Sequence, residues 1–176
     1  HARQATFRQR YPSGMRPRKI LTPAEALARA AALCDKCEQC SPDIIRKLAA
    51  WGIPASDTAK IIARLRQTRY LDDMRFARAY AHDKMAYSGW GRNKILQGLW
   101  AKRLGREYIE ASCDDLDEEE YNDIARRVIR SKVRSLPEGL STYENRMKVM
   151  RFGVHRGFEA RLVSQIINRL VREADE

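Results

Sequence analysis

The chain reads as an all-α protein: three tandem three-helix repeats stacked into an elongated, curved array. Three observations predict this. Helix-start signals recur along the chain, whereas strand signals are nearly absent, with no sustained alternation and no Asn-Gly or Asp-Gly hairpin turn. Apolar residues return at helical spacing. A helix followed by a turn and a large apolar residue also recurs, at Ile53, Leu104 and Phe158, with intervals of 51 and 54 residues. A fixed period of that length marks a repeat architecture, in which small units stack because none buries a full core alone.

Taken in order, residues 1–22 form a basic N-terminal segment, expected to be flexible. The segment has charge but no apolar stretch of the kind a secretory signal needs. It begins with His1, which reads as a trimmed start, and residues up to Met15 are set aside from fold reasoning. The first repeat is placed at 23–69. Thr22, Pro23 and Glu25 make a capping box with proline at the first helical position. Ser41 is the expected cap of the next helix, with Pro42 following. Ile61, Ile62 and Leu65 begin an apolar face.

The second repeat is placed at 70–116. Phe76, Ala77, Tyr80 and Ala81 fall on one side of a helix that Asp72 or Asp73 can cap. Gly89 and Gly91 allow a tight link to the next helix. The third repeat is placed at 117–174. Tyr121, Ile124, Ala125, Val128, Ile129 and Val133 make an apolar arc, and Ser141 to Glu144 repeats the capping-box logic. Leu162, Val163, Ile166, Ile167, Leu170 and Val171 line the last helix.

Composition is that of a folded chain, 44% hydrophobic and 32% charged. No run approaches the roughly 20 apolar residues that span a bilayer, so no membrane partner and a cytoplasmic location are expected. The net charge of +11 is unevenly spread. Glu107 to Asp123 holds nine acidic residues and no Lys or Arg, leaving 34 basic against 14 acidic residues elsewhere, a net of +20. So cationic a surface suits a polyanion or an acidic partner.

Catalytic chemistry finds no foothold. The chain has no phosphate-binding loop, no HExxH and no Gly-x-Ser-x-Gly. Cys34, Cys37 and Cys40 are spaced like ligands, but Cys113 is remote and His82 and His155 belong to other repeats. On a helix running through Cys34 and Cys37, six steps of about 100° would place the third thiol about 120° from the first. A structural role is therefore expected, with no metal, no cofactor and no enzymatic activity. The acidic run spreads around its helix and suits the positive helix start, so it reads as a solvated face.

The basic residues are more informative. Arg126, Arg127, Arg130 and Arg134 fall within about 100° of one another, opposite the apolar arc. Arg146, Lys148, Arg151, Arg156 and Arg161 follow in the same repeat, and Arg92, Lys94, Lys102 and Arg103 line the middle one. Together they predict a continuous cationic surface. Arginine suits phosphate and carboxylate alike because it bonds bidentately.

The stretch from Arg69 to Leu99 resembles the signature of the RecX family, modulators of the RecA recombinase. The residues that carry the resemblance are Tyr70, Leu71, Asp72 and Asp73, then Arg75, Phe76 and Ala77, then Tyr80, the Gly89-x-Gly91 turn, Ile95 and Leu99. His155 to Phe158, with Gly157 at its turn, is similar to the family's Arg-Gly-Phe turn. The likeness runs from about Ala24 to Leu170, with Arg103 where a glycine is usual and Gly153 where an apolar residue is usual. The resemblance implies a regulator that lies in the groove of a RecA–DNA filament and attenuates ATP turnover and strand exchange in recombination, repair and the SOS response; a monomer is expected. The reading from charge alone is a module that binds single- or double-stranded DNA nonspecifically through phosphates.

Overall fold

A computed structural model describes residues 19–176, and within them all regular structure is helical. The helices are α1 Pro23–Lys36, α2 Ser41–Ala50, α3 Ala55–Gln67, α4 Asp73–Ala86, α5 Arg92–Ala101, α6 Arg106–Ala111, α7 Glu118–Arg134, α8 Tyr143–His155 and α9 Ala160–Ala174. Most of the N-terminal segment expected to be flexible lies outside the described residues.

Local chemistry sets most helix starts. The Thr22 hydroxyl accepts from the Glu25 amide while the Glu25 carboxylate accepts from the Thr22 amide, completing the box that begins α1. Asp72 caps α4, Asp117 caps α7 and Thr142 caps α8, each accepting an amide three residues on. Two caps differ from expectation. The helix after Ser141 starts one residue later, with Thr142 as its cap and the Ser141 hydroxyl turned back to Glu138 O. Cys40, not Ser41, occupies the cap position of α2, without a side-chain cap bond. The reason is tertiary: the Ser41 amide, which a local cap would leave exposed, donates to Asp73 Oδ1 at 2.8 Å.

The cysteine stretch is correspondingly rearranged. α1 ends at Lys36, so only Cys34 is helical; Cys37 is an exposed extended residue and Cys40 is buried. Burial raises the Cys40 thiol to about 11, which holds it protonated at neutral pH.

The recurrent turn has one backbone solution. α2, α5 and α8 end at Ala50, Ala101 and His155, three residues before the apolar residue that closes each turn. In each turn the residue before Ile53, Leu104 or Phe158 takes a left-handed conformation: Gly52 at φ 81°, Arg103 at φ 60° and Gly157 at φ 97°. The apolar residue then turns inward and is buried. Arg103 adopts a glycine's conformation, at the cost such backbone carries for a residue with a Cβ. Gly153 has its own explanation, because a Cβ there would lie 2.8 Å from Ile129 and Val163 side-chain carbons. Its absence lets α8 approach α7 and α9 closely.

The units do not share apolar surface equally. Ala26, Ala30, Ile44, Leu48, Ile53, Ile61, Ile62 and Leu65 form a core around the first three helices, closed by Leu71 from the start of the second repeat as placed. A larger core runs through the other two units, from Phe76, Ala77 and Ala81 to Tyr121, Ile129, Phe158 and Ile167, and α4 packs against α7. The first unit joins the second through polar contacts: Ser41 and Arg66 to Asp73, Arg75 to Glu38, and Lys102 to Asp43 at 2.9 Å. Cys40 is its buried contribution to the larger core.

Candidate nucleic-acid and partner interface

The second and third units meet backbone to backbone. The Gly91 amide donates to Arg156 O at 2.9 Å and the Asn93 amide to Gly157 O at 3.0 Å. A Cβ on Gly91 would lie 2.2 Å from the Gly157 carbonyl carbon, and one on Gly157 would lie 2.4 Å from the Lys94 Cβ. The two turns read separately in the sequence are thus halves of one joint. Beside it the Tyr121 hydroxyl donates to Glu159 at 2.7 Å and accepts the Arg92 amide at 3.0 Å. Burial, above all, raises the Tyr121 hydroxyl's pKa, so it remains a donor. The Tyr121 ring meets Phe158 edge-on, with centroids 5.7 Å apart.

This joint claims two of the expected surface cations. Arg92 stacks over the Tyr121 ring at 4.0 Å and pairs with Glu159 at 3.2 Å and with Glu118. Burial alone would lower its pKa, but the hydrogen bond to Glu159 and the neighbouring carboxylates outweigh that and raise it. Arg156 donates to the carbonyls of Ser88 and Gly89, fixing the turn from behind. Lys102 is held against Asp43 of the first unit.

The α7 arginines divide. Arg126 pairs with Asp123 one turn back, and Arg130 reaches Glu173 of α9 at 3.4 Å. Arg127 and Arg134, seven residues apart and so on one side of α7, have no carboxylate partner within salt-bridge distance among the described residues. Arg127 flanks a hollow with Asp117, Glu119, Glu120 and Asp123; Arg134 flanks a groove of about 550 Å³ with Arg130, Arg146 and Leu170. In that groove Arg146 donates to Leu140 O at 2.8 Å.

Lys148 pairs with Glu144 at 2.9 Å. Arg103, Arg151 and Arg161 are exposed, and none has an ion-pair partner among the described residues. Lys94 lies over the Trp90 ring. The signature residues are mainly structural: Leu71, Phe76, Ala77 and Phe158 are buried, Gly89 takes φ 64°, and Asp73 latches the first unit. Tyr80 is half-buried, and Tyr70 is 37% exposed.

The acidic run is an exposed face, as expected, and four of its carboxylates also make surface ion pairs. Asp115 pairs with Arg78 at 3.1 Å, Glu118 with Arg92, Glu110 with Arg106 and Asp123 with Arg126. Among the described residues no group of three or more His, Cys, Asp or Glu side chains is placed to hold a metal ion. No helix there is long and apolar enough to cross a membrane. One cluster escaped the sequence reading: Lys84 and Lys94 both lie over Trp90. The signal was present as a lone tryptophan between lysines six residues before and four after it.

Comparison with known proteins bears on the same units. Residues 72–112 match the family model described as RecX, second three-helix domain, and residues 118–167 match RecX, third three-helix domain. Relatives named Regulatory protein RecX include one from Clostridium perfringens, 26% identical over 137 residues, covering 77% of this chain and 64% of that protein. Another, from Lactobacillus delbrueckii, is 25% identical over 166 residues, covering 91% of this chain and 61% of that protein. The chain therefore spans less than two thirds of these relatives. Among solved structures, RecX from Lactobacillus salivarius superposes with a TM-score of 0.75 at 16% identity, covering 84% of this chain and 96% of that one. A crystal structure titled regulatory protein RecX gives 0.69 at 20% identity, covering 83% and 73%.

Proposed function

The chain belongs to the RecX family, and from that premise we propose that it regulates the RecA recombinase by binding the RecA–DNA filament and damping its ATP turnover and strand exchange. It acts in the cytoplasm as a monomer, by binding rather than catalysis, through three units at 23–69, 70–116 and 117–174. The observation that carries the reading is the separation of the cations into two sets within a family-matched array. Arg92, Lys102 and Arg156 hold the units together, whereas Arg103, Arg127, Arg134, Arg151 and Arg161 have no ion-pair partner among the described residues and are available to phosphates and acidic side chains.

The test is RecA-dependent ATP hydrolysis on single-stranded DNA, titrated with wild type and with an Arg127→Glu/Arg134→Glu variant. Both positions are exposed on α7, but Arg127 flanks four carboxylates and Arg134 lies in the last helical turn. Charge reversal therefore costs on the order of 1 kcal/mol, which thermal melts run alongside register. Inhibition by wild type, with at least roughly tenfold more variant needed for the same effect, supports the reading. No effect of wild type at saturation refutes it. The +20 outside the acidic run favours a second reading, a nonspecific DNA-binding module. Tight salt-sensitive binding to bare DNA with no change in RecA turnover selects that module.

A further inference from the structure

We propose that Trp90, with Lys84 and Lys94, forms a site for an unstacked base and the adjoining phosphates of a single-stranded nucleic acid. This deepens the filament reading, and rests on it, by naming the strand chemistry that one surface recognises. Trp90 lies in the turn between α4 and α5, partly exposed, and its amide donates to Lys84 O at 3.0 Å. The turn is held on both sides, by the left-handed Gly89 and by Gly91 against the third unit's backbone. Arg156 secures it further through the Ser88 and Gly89 carbonyls. The indole is therefore a fixed platform.

Two ammonium groups share that platform. Lys84 Nζ and Lys94 Nζ each lie 4.7 Å from the ring centroid, and Lys84 is also 5.5 Å from the Tyr80 ring. Neither lysine has a carboxylate within salt-bridge distance among the described residues. Like charges gather on an indole when its electron-rich face is the best partner available, and that attraction is weak beside a phosphate. A strand supplies phosphates for both lysines, whose flexible stems swing aside and uncover the indole, and supplies a base to stack there. A duplex keeps its bases stacked inside and offers no free face. The more exposed Trp100, at 53%, shares its groove with Glu110, Asp114 and Glu118, which repel phosphates.

The full chain carrying Trp51→Phe and Trp100→Phe leaves Trp90 as the sole tryptophan. Titration with oligothymidylate in the absence of RecA, followed by tryptophan emission and by anisotropy of a labelled strand, should show emission quenched in step with binding. Trp90→Leu should weaken binding roughly fivefold to 150-fold. Lys84→Gln/Lys94→Gln should reduce the slope of log affinity against log salt by about 1.4, the value for two single-strand phosphate contacts. Absence of binding, unchanged Trp90 emission at saturation, or competition by an acidic peptide that leaves emission untouched overturns the proposal. The quenching arm keeps the native ring, so it decides even where Trp90→Leu fails to fold. Because RecA is absent, the ATPase titration with wild type judges the filament reading separately.

Discussion

Gly91→Ala probes the joint between the second and third units. The backbone at Gly91 has φ −82°, open to any residue, so the substitution brings no local strain. Its Cβ, however, would lie 2.2 Å from the Gly157 carbonyl carbon, 2.3 Å from its oxygen and 2.3 Å from the Phe158 nitrogen. These are backbone atoms, which no rotamer change moves aside. The turns must separate, and two backbone hydrogen bonds are lost, Gly91 N–H to Arg156 O and Asn93 N–H to Gly157 O. Asn93 is exposed and its amide can turn to water. The groups of the two buried residues, the Gly91 amide and the Gly157 carbonyl, at about 1–3 kcal/mol each set an expected loss of about 2–6 kcal/mol. For a chain of this size that lowers the melting temperature by roughly 10 °C. Gly52→Ala is the control: φ is 81° but nothing lies within 4 Å of the added carbon. It should cost only the backbone strain, about 1–2 kcal/mol. Urea and thermal unfolding followed by circular dichroism compare the two. If Gly91→Ala falls within about 1 kcal/mol of wild type, or costs less than Gly52→Ala, the joint is not held by backbone contact.

Two further outcomes follow from the same geometry. Arg103→Gly relieves left-handed strain at φ 60° while adding unfolded-state freedom, so a net gain of about 0.5 kcal/mol and a slightly higher melting temperature are expected. Burial would raise the Asp43 carboxyl's pKa, but the hydrogen bond and charge of Lys102, with Arg46 and Cys40 assisting, hold it below its ordinary value of 3.8. A depressed carboxyl stabilises above its unfolded pKa and loses that contribution as pH falls through the folded one. With Trp90→Phe and Trp100→Phe leaving Trp51 as the sole tryptophan, unfolding followed by its emission should therefore shift to lower urea on acidification below 3.8, and Lys102→Met should flatten that dependence.

Where the physics is local, the sequence was sufficient. Thr22 with Glu25 starts α1 because both capping bonds close within three residues. The α7 arc buries Tyr121, Ile124, Ala125 and Ile129 because helical period alone assigns a face. The recurrent turn was legible because a large apolar residue returns at a fixed interval after a helix end, although only the structure shows the left-handed step before it, which Arg103 takes without glycine.

Tertiary structure decided which charges are spent and which remain. Arg92 and Arg127 look equivalent in sequence, yet Arg92 meets Glu159 across 67 residues and Tyr121 beneath it, while Arg127 has no ion-pair partner among the described residues. Ser41 gave way to Cys40 as the α2 cap because its amide partner, Asp73, lies 32 residues on. The separate core of the first unit and the lysines gathered on Trp90 are of the same kind. Periodicity says which way a side chain faces. What it meets there depends on chain topology, because ion pairs and hydrogen bonds act over a few ångströms between residues that the sequence holds far apart.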